Sequence, residues 1–135
     1  MSSTKLQGIA LSIAGVTALA IGAMILFAPR AFYASYGIAL GPNPNLLSEL
    51  RAPGAGIAVL GSTMLAGLVR ERWVPFAIAA ATTIYLAFPL GRLVGIVVDG
   101  VPNISVLGAL AIEVAIGALC VIAFARPRRP RQAVA

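Results

Sequence analysis

Leu6 to Phe27 passes without one charged side chain, and no other feature constrains the fold as strongly. At ~1.5 Å rise per residue a helix of that length reaches about 33 Å, enough to cross the ~30 Å hydrocarbon core of a bilayer. Three further apolar stretches follow, about Leu46–Val69, Val74–Val98 and Ile104–Ala125, separated by turns and charged links. Of 135 residues, 60% are hydrophobic and 10% charged, with a mean hydropathy of +0.98. A soluble domain has no interior able to hide that much apolar surface, whereas a bilayer accepts it. The expectation is one all-α domain over residues 1–135, an integral membrane four-helix bundle. The first run reads as a retained span. It is longer than the apolar region of a typical signal peptide, and Pro29-Arg30-Ala31-Phe32 is a poor cleavage neighbourhood. Gly8, Gly15 and Gly22 recur every seven residues and predict a smooth stripe for close helix packing.

Composition also removes chemistry. Histidine is absent and Cys120 stands alone, which excludes histidine catalysis, histidine metal sites and an internal disulfide. With four acids, Glu49, Glu71, Asp99 and Glu113, a carboxylate-rich metal cage is not expected. No nucleophile motif or cofactor fingerprint is present, so no cofactor is expected.

The connections carry most of the polar groups. Phe32, Tyr33 and Tyr36 sit at helical spacing and predict a short interfacial helix; a ligand-facing tyrosine is the second reading. Gly41-Pro42-Asn43-Pro44-Asn45 reads as a turn. Ser48 is the expected N-cap of the second span, with Glu49 suited to its first turn and Pro53 either in that turn or kinking the helix. Arg51, Gly54, Ala58 and Gly61 share a face that would aim Arg51 into the bundle. Arg70-Glu71-Arg72-Trp73 is a tight charged link, and Asp99-Gly100-Val101-Pro102-Asn103 is the last turn. Pro89 is expected to bend the third span and free the carbonyl of Tyr85. In the fourth span Ala109, Glu113 and Gly117 line one face, and Cys120 reads as packing.

The positive-inside rule sets an expected orientation. Lys5, Arg70, Arg72 and the tail arginines Arg126, Arg128, Arg129 and Arg131 place seven of ten basic residues on one side. Both termini, including the basic tail 126–135, are therefore expected to be cytoplasmic. That topology alone explains a net charge of +6 without nucleic-acid binding.

Topology also gathers the remaining charges toward the opposite side. Glu49 and Arg51 enter span two there, Asp99 closes span three, and Arg92 lies ~10 Å below it. Glu113 is ~13 Å deep in span four, roughly level with Arg92. A lone charge at that depth costs ~2.5–3.5 kcal/mol on insertion scales, so pairing of Arg92 with Glu113 or Asp99 is expected. One reading has Glu49, Arg51, Arg92, Asp99 and Glu113 fix helix register; another has them line a polar pocket, with Tyr33, Tyr36 and Tyr85 as further lining.

The segments Glu49-Leu50-Arg51-Ala52, Pro89-Leu90-Gly91-Arg92-Leu93-Val94-Gly95, Asp99-Gly100-Val101-Pro102 and Glu113 together resemble the bacterial membrane-protein family catalogued as domain of unknown function 4345. The resemblance covers nearly the whole chain. It implies a four-helix integral membrane protein of the cell membrane with no assigned activity, and it supports the same five charged residues. Three functions follow as expectations: a binding or accessory protein holding a lipid headgroup, a small amphiphile or a membrane partner; an oligomeric small-solute or proton-coupled transporter with Glu113 as the titrating group; and a lipid-modifying enzyme. The expected partners are membrane lipids and a membrane protein or second copy, not nucleic acid.

Overall fold

The computed structural model describes residues 3–125; the basic tail 126–135 lies outside the described residues. Five α-helices follow in order: α1 (Ser3–Phe27), α2 (Pro29–Ala34), α3 (Pro44–Val69), α4 (Val74–Asp99) and α5 (Ile104–Phe124), with a 3-10 turn at Glu71–Trp73 between α3 and α4. Four of them are long and apolar enough to cross a membrane, and no strand occurs among the described residues. The fold is an all-α four-helix bundle with the architecture of a multi-pass membrane protein. Around the bundle the order is α1, α3, α4, α5 and back to α1, with α1 against α3 the most extensive contact.

The reason for that closest contact is legible residue by residue. A Cβ on Gly22 would come within 2.3 Å of the Ala58 amide nitrogen, and one on Gly61 within 2.4 Å of the Leu19 nitrogen. Backbone therefore meets backbone, and neither position has room for a methyl group. Without a hydrophobic drive between helices in lipid, such close approach is what the van der Waals contact rests on. Gly15 serves the same contact against Leu65, whereas Gly8 meets nothing within 4 Å and lies outside it.

Several boundaries differ from those expected. The first helix begins at Ser3 rather than after Lys5. The third helix begins at Pro44, two residues before Leu46, and its N-cap is Asn43, not Ser48. Asn43 Oδ1 accepts from the Asn45 amide at 2.9 Å. Asn43 is extended and Pro44 supplies the pre-set φ of a first helical residue, a pairing that leaves Ser48 in the second turn. Pro53 accordingly sits well inside α3, and Pro89 inside an uninterrupted α4.

The core is built largely from alanine: Ala10, Ala14, Ala18, Ala77, Ala81 and Ala123 are buried around Met64, Tyr85, Ile116 and Cys120. It occupies only part of the bundle's length. The last buried residue of α4 is Pro89 and the first of α5 is Ile116. Beyond them the two helical arms, 90–99 and 104–115, contain no fully buried residue. The α4–α5 side of the bundle is thus packed at the end holding the α3–α4 link and open at the other, where α1 and α3 stay in contact through Ile25 and Gly54.

Where the core ends, backbone chemistry sets the spacing. Pro89 has no amide to offer the Tyr85 carbonyl four residues back. That carbonyl oxygen lies against Gly117, where a Cβ would approach within 2.6 Å. Gly117 therefore serves close helix contact and does not open space beside Glu113. Tyr85, expected as pocket lining, is 3% exposed, and its hydroxyl donates to the Ala14 carbonyl at 2.7 Å. A buried bond of this kind contributes ~0.5–1.5 kcal/mol.

Candidate functional site

Past the core, Arg92 on α4 meets Glu113 on α5. Arg92 Nε donates to Glu113 Oε2 at 2.8 Å and Nη2 to Oε1 at 2.9 Å. This is a bidentate, charge-assisted pair, the strongest class of side-chain hydrogen bond. Depth on the two helices brings these residues level, and the geometry selects Glu113 over Asp99 as the partner. It is the one salt bridge among the described residues, and it ties the two arms together where no apolar core does.

The pairing is side-on, and it leaves part of the cation free. Nε and Nη2 are committed, while Nη1 has no hydrogen-bond partner among the described residues. The Arg92 side chain is 32% exposed against 13% for Glu113. The acid is therefore enclosed and the cation presents an edge outward. Arg92 also lines a cleft of about 250 Å³ between the arms, with Gly95, Ile96, Asp99, Leu107 and Leu110 among others. Gly95 leaves the wall low, since a Cβ there would meet nothing within 4 Å.

Above the pair, α2 and the turn after it bring aromatic groups near. Phe32 packs edge-on to Tyr33 with centroids 5.3 Å apart and tilted to Tyr36 at 5.2 Å. Burial pushes the Tyr33 phenol above its ordinary value, and the positive charge of Arg92 opposes that shift. The turn is pinned by Asn103, whose Nδ2 donates to the Tyr36 carbonyl at 2.7 Å while its Oδ1 caps α5 through the Val106 amide at 3.1 Å. Gly37, at φ 75°, permits the chain to leave α2 in that direction. Nothing in the sequence singled out Asn103 beyond its place in a turn, although an asparagine directly before an apolar helix is an N-cap signal.

The other expected charges do not join the pair. Arg51 Nη1 donates to the Leu26 carbonyl, near the C-terminal end of α1. A cation at a helix C-terminus satisfies an orphan carbonyl and suits the helix dipole, so Arg51 caps α1 instead of reaching the bundle centre. It lines a separate groove of about 540 Å³ with Leu26, Leu47 and Ser48. Glu49 is exposed. Asp99 is exposed at the last position of α4 and lines the same cleft as Arg92. Neither acid has a salt bridge or side-chain hydrogen bond among the described residues.

Neither a curated protein nor a solved structure matches the chain. Residues 6–124 match the family described as a domain of unknown function, DUF4345, and over that length, which takes in all four long helices and both members of the ion pair, the chain belongs to it.

Proposed function

We propose that the protein is a binding or accessory membrane protein whose α4–α5 cleft holds the polar headgroup of an amphiphile. The observation that supports this reading is the half-committed guanidinium of Arg92. A purely structural pair would be best served by enclosing both partners, because each unpaired donor facing hydrocarbon carries a desolvation cost. Here Glu113 is the more enclosed partner, Nη1 of Arg92 has no hydrogen-bond partner among the described residues, and Arg92 lines a cleft with largely apolar walls. Glu113 then has two roles: it neutralises the cation during insertion, and it fixes the plane of the guanidinium so that its free edge points at the cleft. At about 250 Å³ the cleft falls below the ~300–1,000 Å³ of pockets that engulf a drug-sized ligand. It suits a headgroup whose chains remain in lipid.

The seven basic residues on one side support an orientation with both termini cytoplasmic and the cleft near the opposite face of the cell membrane.

The test uses Gly95→Leu. A Cβ at Gly95 meets nothing within 4 Å, so leucine enters the cleft wall without backbone conflict and replaces glycine by a better helix former. Native mass spectrometry should show loss of the lipid that co-purifies with the wild type, while thermal unfolding of the same sample stays unchanged or rises. Equal lipid retention by the two proteins would remove the binding role.

A further inference from the structure

Asp99 has no work to do within the fold. It ends α4 at the negative pole of that helix dipole, where an acid is disfavoured. It is exposed and makes no polar side-chain contact among the described residues. The cleft it lines with Arg92 has glycine, proline and aliphatic walls. One cleft is therefore lined by a cation and, toward the end of the helix, by a free carboxylate, seven residues or about 10 Å apart along α4.

Resting on the headgroup reading above, we infer that the cleft selects a zwitterionic phosphoester bearing a primary ammonium, with its phosphate on Arg92 and its ammonium on Asp99. The order of charges matches an anchored lipid. Acyl chains run toward the bilayer centre, the phosphate lies above them, and the ammonium sits outermost, as Arg92 and Asp99 do along α4. An anionic headgroup would gain at Arg92 but be repelled by Asp99. A quaternary ammonium would want an aromatic cage, and no aromatic residue lines this cleft. A primary ammonium instead donates charge-assisted hydrogen bonds to a carboxylate. Ile96, Leu107 and Leu110 in the lining favour a lipid over the free headgroup.

The experiment measures lipid carried by the intact chain after exchange into nanodiscs holding equal phosphatidylethanolamine, phosphatidylglycerol and phosphatidylcholine. The wild type should retain the ethanolamine lipid over each of the others by about fivefold, the ratio that ~1 kcal/mol corresponds to. Asp99→Asn should abolish that preference, lowering retained ethanolamine lipid toward the level of the other two, while thermal stability stays unchanged. An unselective wild type, or a preference that survives Asp99→Asn, overturns the inference even if Gly95→Leu still empties the cleft; failure of Gly95→Leu overturns the headgroup reading itself. Displacement of bound lipid by millimolar glycerophosphoethanolamine would reassign the site to a soluble phosphoester and overturn the lipid assignment.

Discussion

Replacing Arg92 by leucine strands Glu113 with only 13% of its side chain exposed. Removing one partner of a buried pair costs ~3–5 kcal/mol. Solvent reaching the partly exposed Arg92 lowers the attraction that is lost, which brings the expected destabilisation to about 2–3 kcal/mol. The reverse change, Glu113→Leu, should cost less, about 1–2 kcal/mol, because the long arginine stem lets its charge move toward the open end. With both replaced, an apolar pair should fill the gap between the arms at a net cost of about 1 kcal/mol or less. The double-mutant cycle then yields a coupling of about 2–4 kcal/mol. Steric trapping in bicelles reads these differences in a bilayer-like solvent, and thermal unfolding in detergent gives the rank order. Arg92→Lys adds a control on geometry, since an ammonium keeps the charge but cannot form the two parallel bonds seen at 2.8 and 2.9 Å. Losses that simply add, with coupling under about 0.5 kcal/mol, would refute the claim that the pair ties the arms together.

Two further outcomes are expected. Gly22→Ala should destabilise the bundle by about 1–3 kcal/mol, since its methyl meets the α3 backbone, whereas Gly8→Ala, with open space around it, should be neutral in the same unfolding assay. Impermeant thiol labelling of single-cysteine variants on a Cys120→Ala background should reach positions 43 and 103 from outside but not position 72; the reverse pattern would invert the proposed orientation.

Much of this architecture is written in the sequence. Span length and the scarcity of charge announce the four long helices, because a bilayer admits few other ways to satisfy the backbone. The seven-residue spacing of Gly8, Gly15 and Gly22 announces close packing of α1, although nothing in it names α3 as the partner or says that Gly8 stands outside the contact. The depth of Arg92 announces that it needs an acid; Glu113 lies level with it and Asp99 two turns along its own helix face, and only the packing of α5 against α4 decides between them. Arg51 shows the limit more sharply. Its helical face points to the bundle, but a guanidinium on a long stem goes to whichever acceptor is nearest, and the orphan carbonyl of Leu26 depends on where α1 ends. Likewise Gly117 shares a face with Glu113 in the sequence pattern, but that it admits the Tyr85 carbonyl is a contact between helices that periodicity within one helix does not reveal. The opening of the bundle beyond Pro89 and Ile116 is of the same kind.

The most direct test of the central claim is a distance between Arg92 and lipid phosphorus. Solid-state NMR on protein carrying 15N-labelled arginine in phosphatidylethanolamine bilayers measures the 15N–31P dipolar coupling, and the spectrum of Arg92→Lys identifies the Arg92 signal by its loss. The account predicts a strong coupling at the guanidinium nitrogens of Arg92 in the wild type that disappears in Gly95→Leu, whose ion pair is intact and whose cleft is filled. An Arg92 signal without phosphorus coupling in the wild type, or one that persists unchanged with the cleft filled, would contradict it.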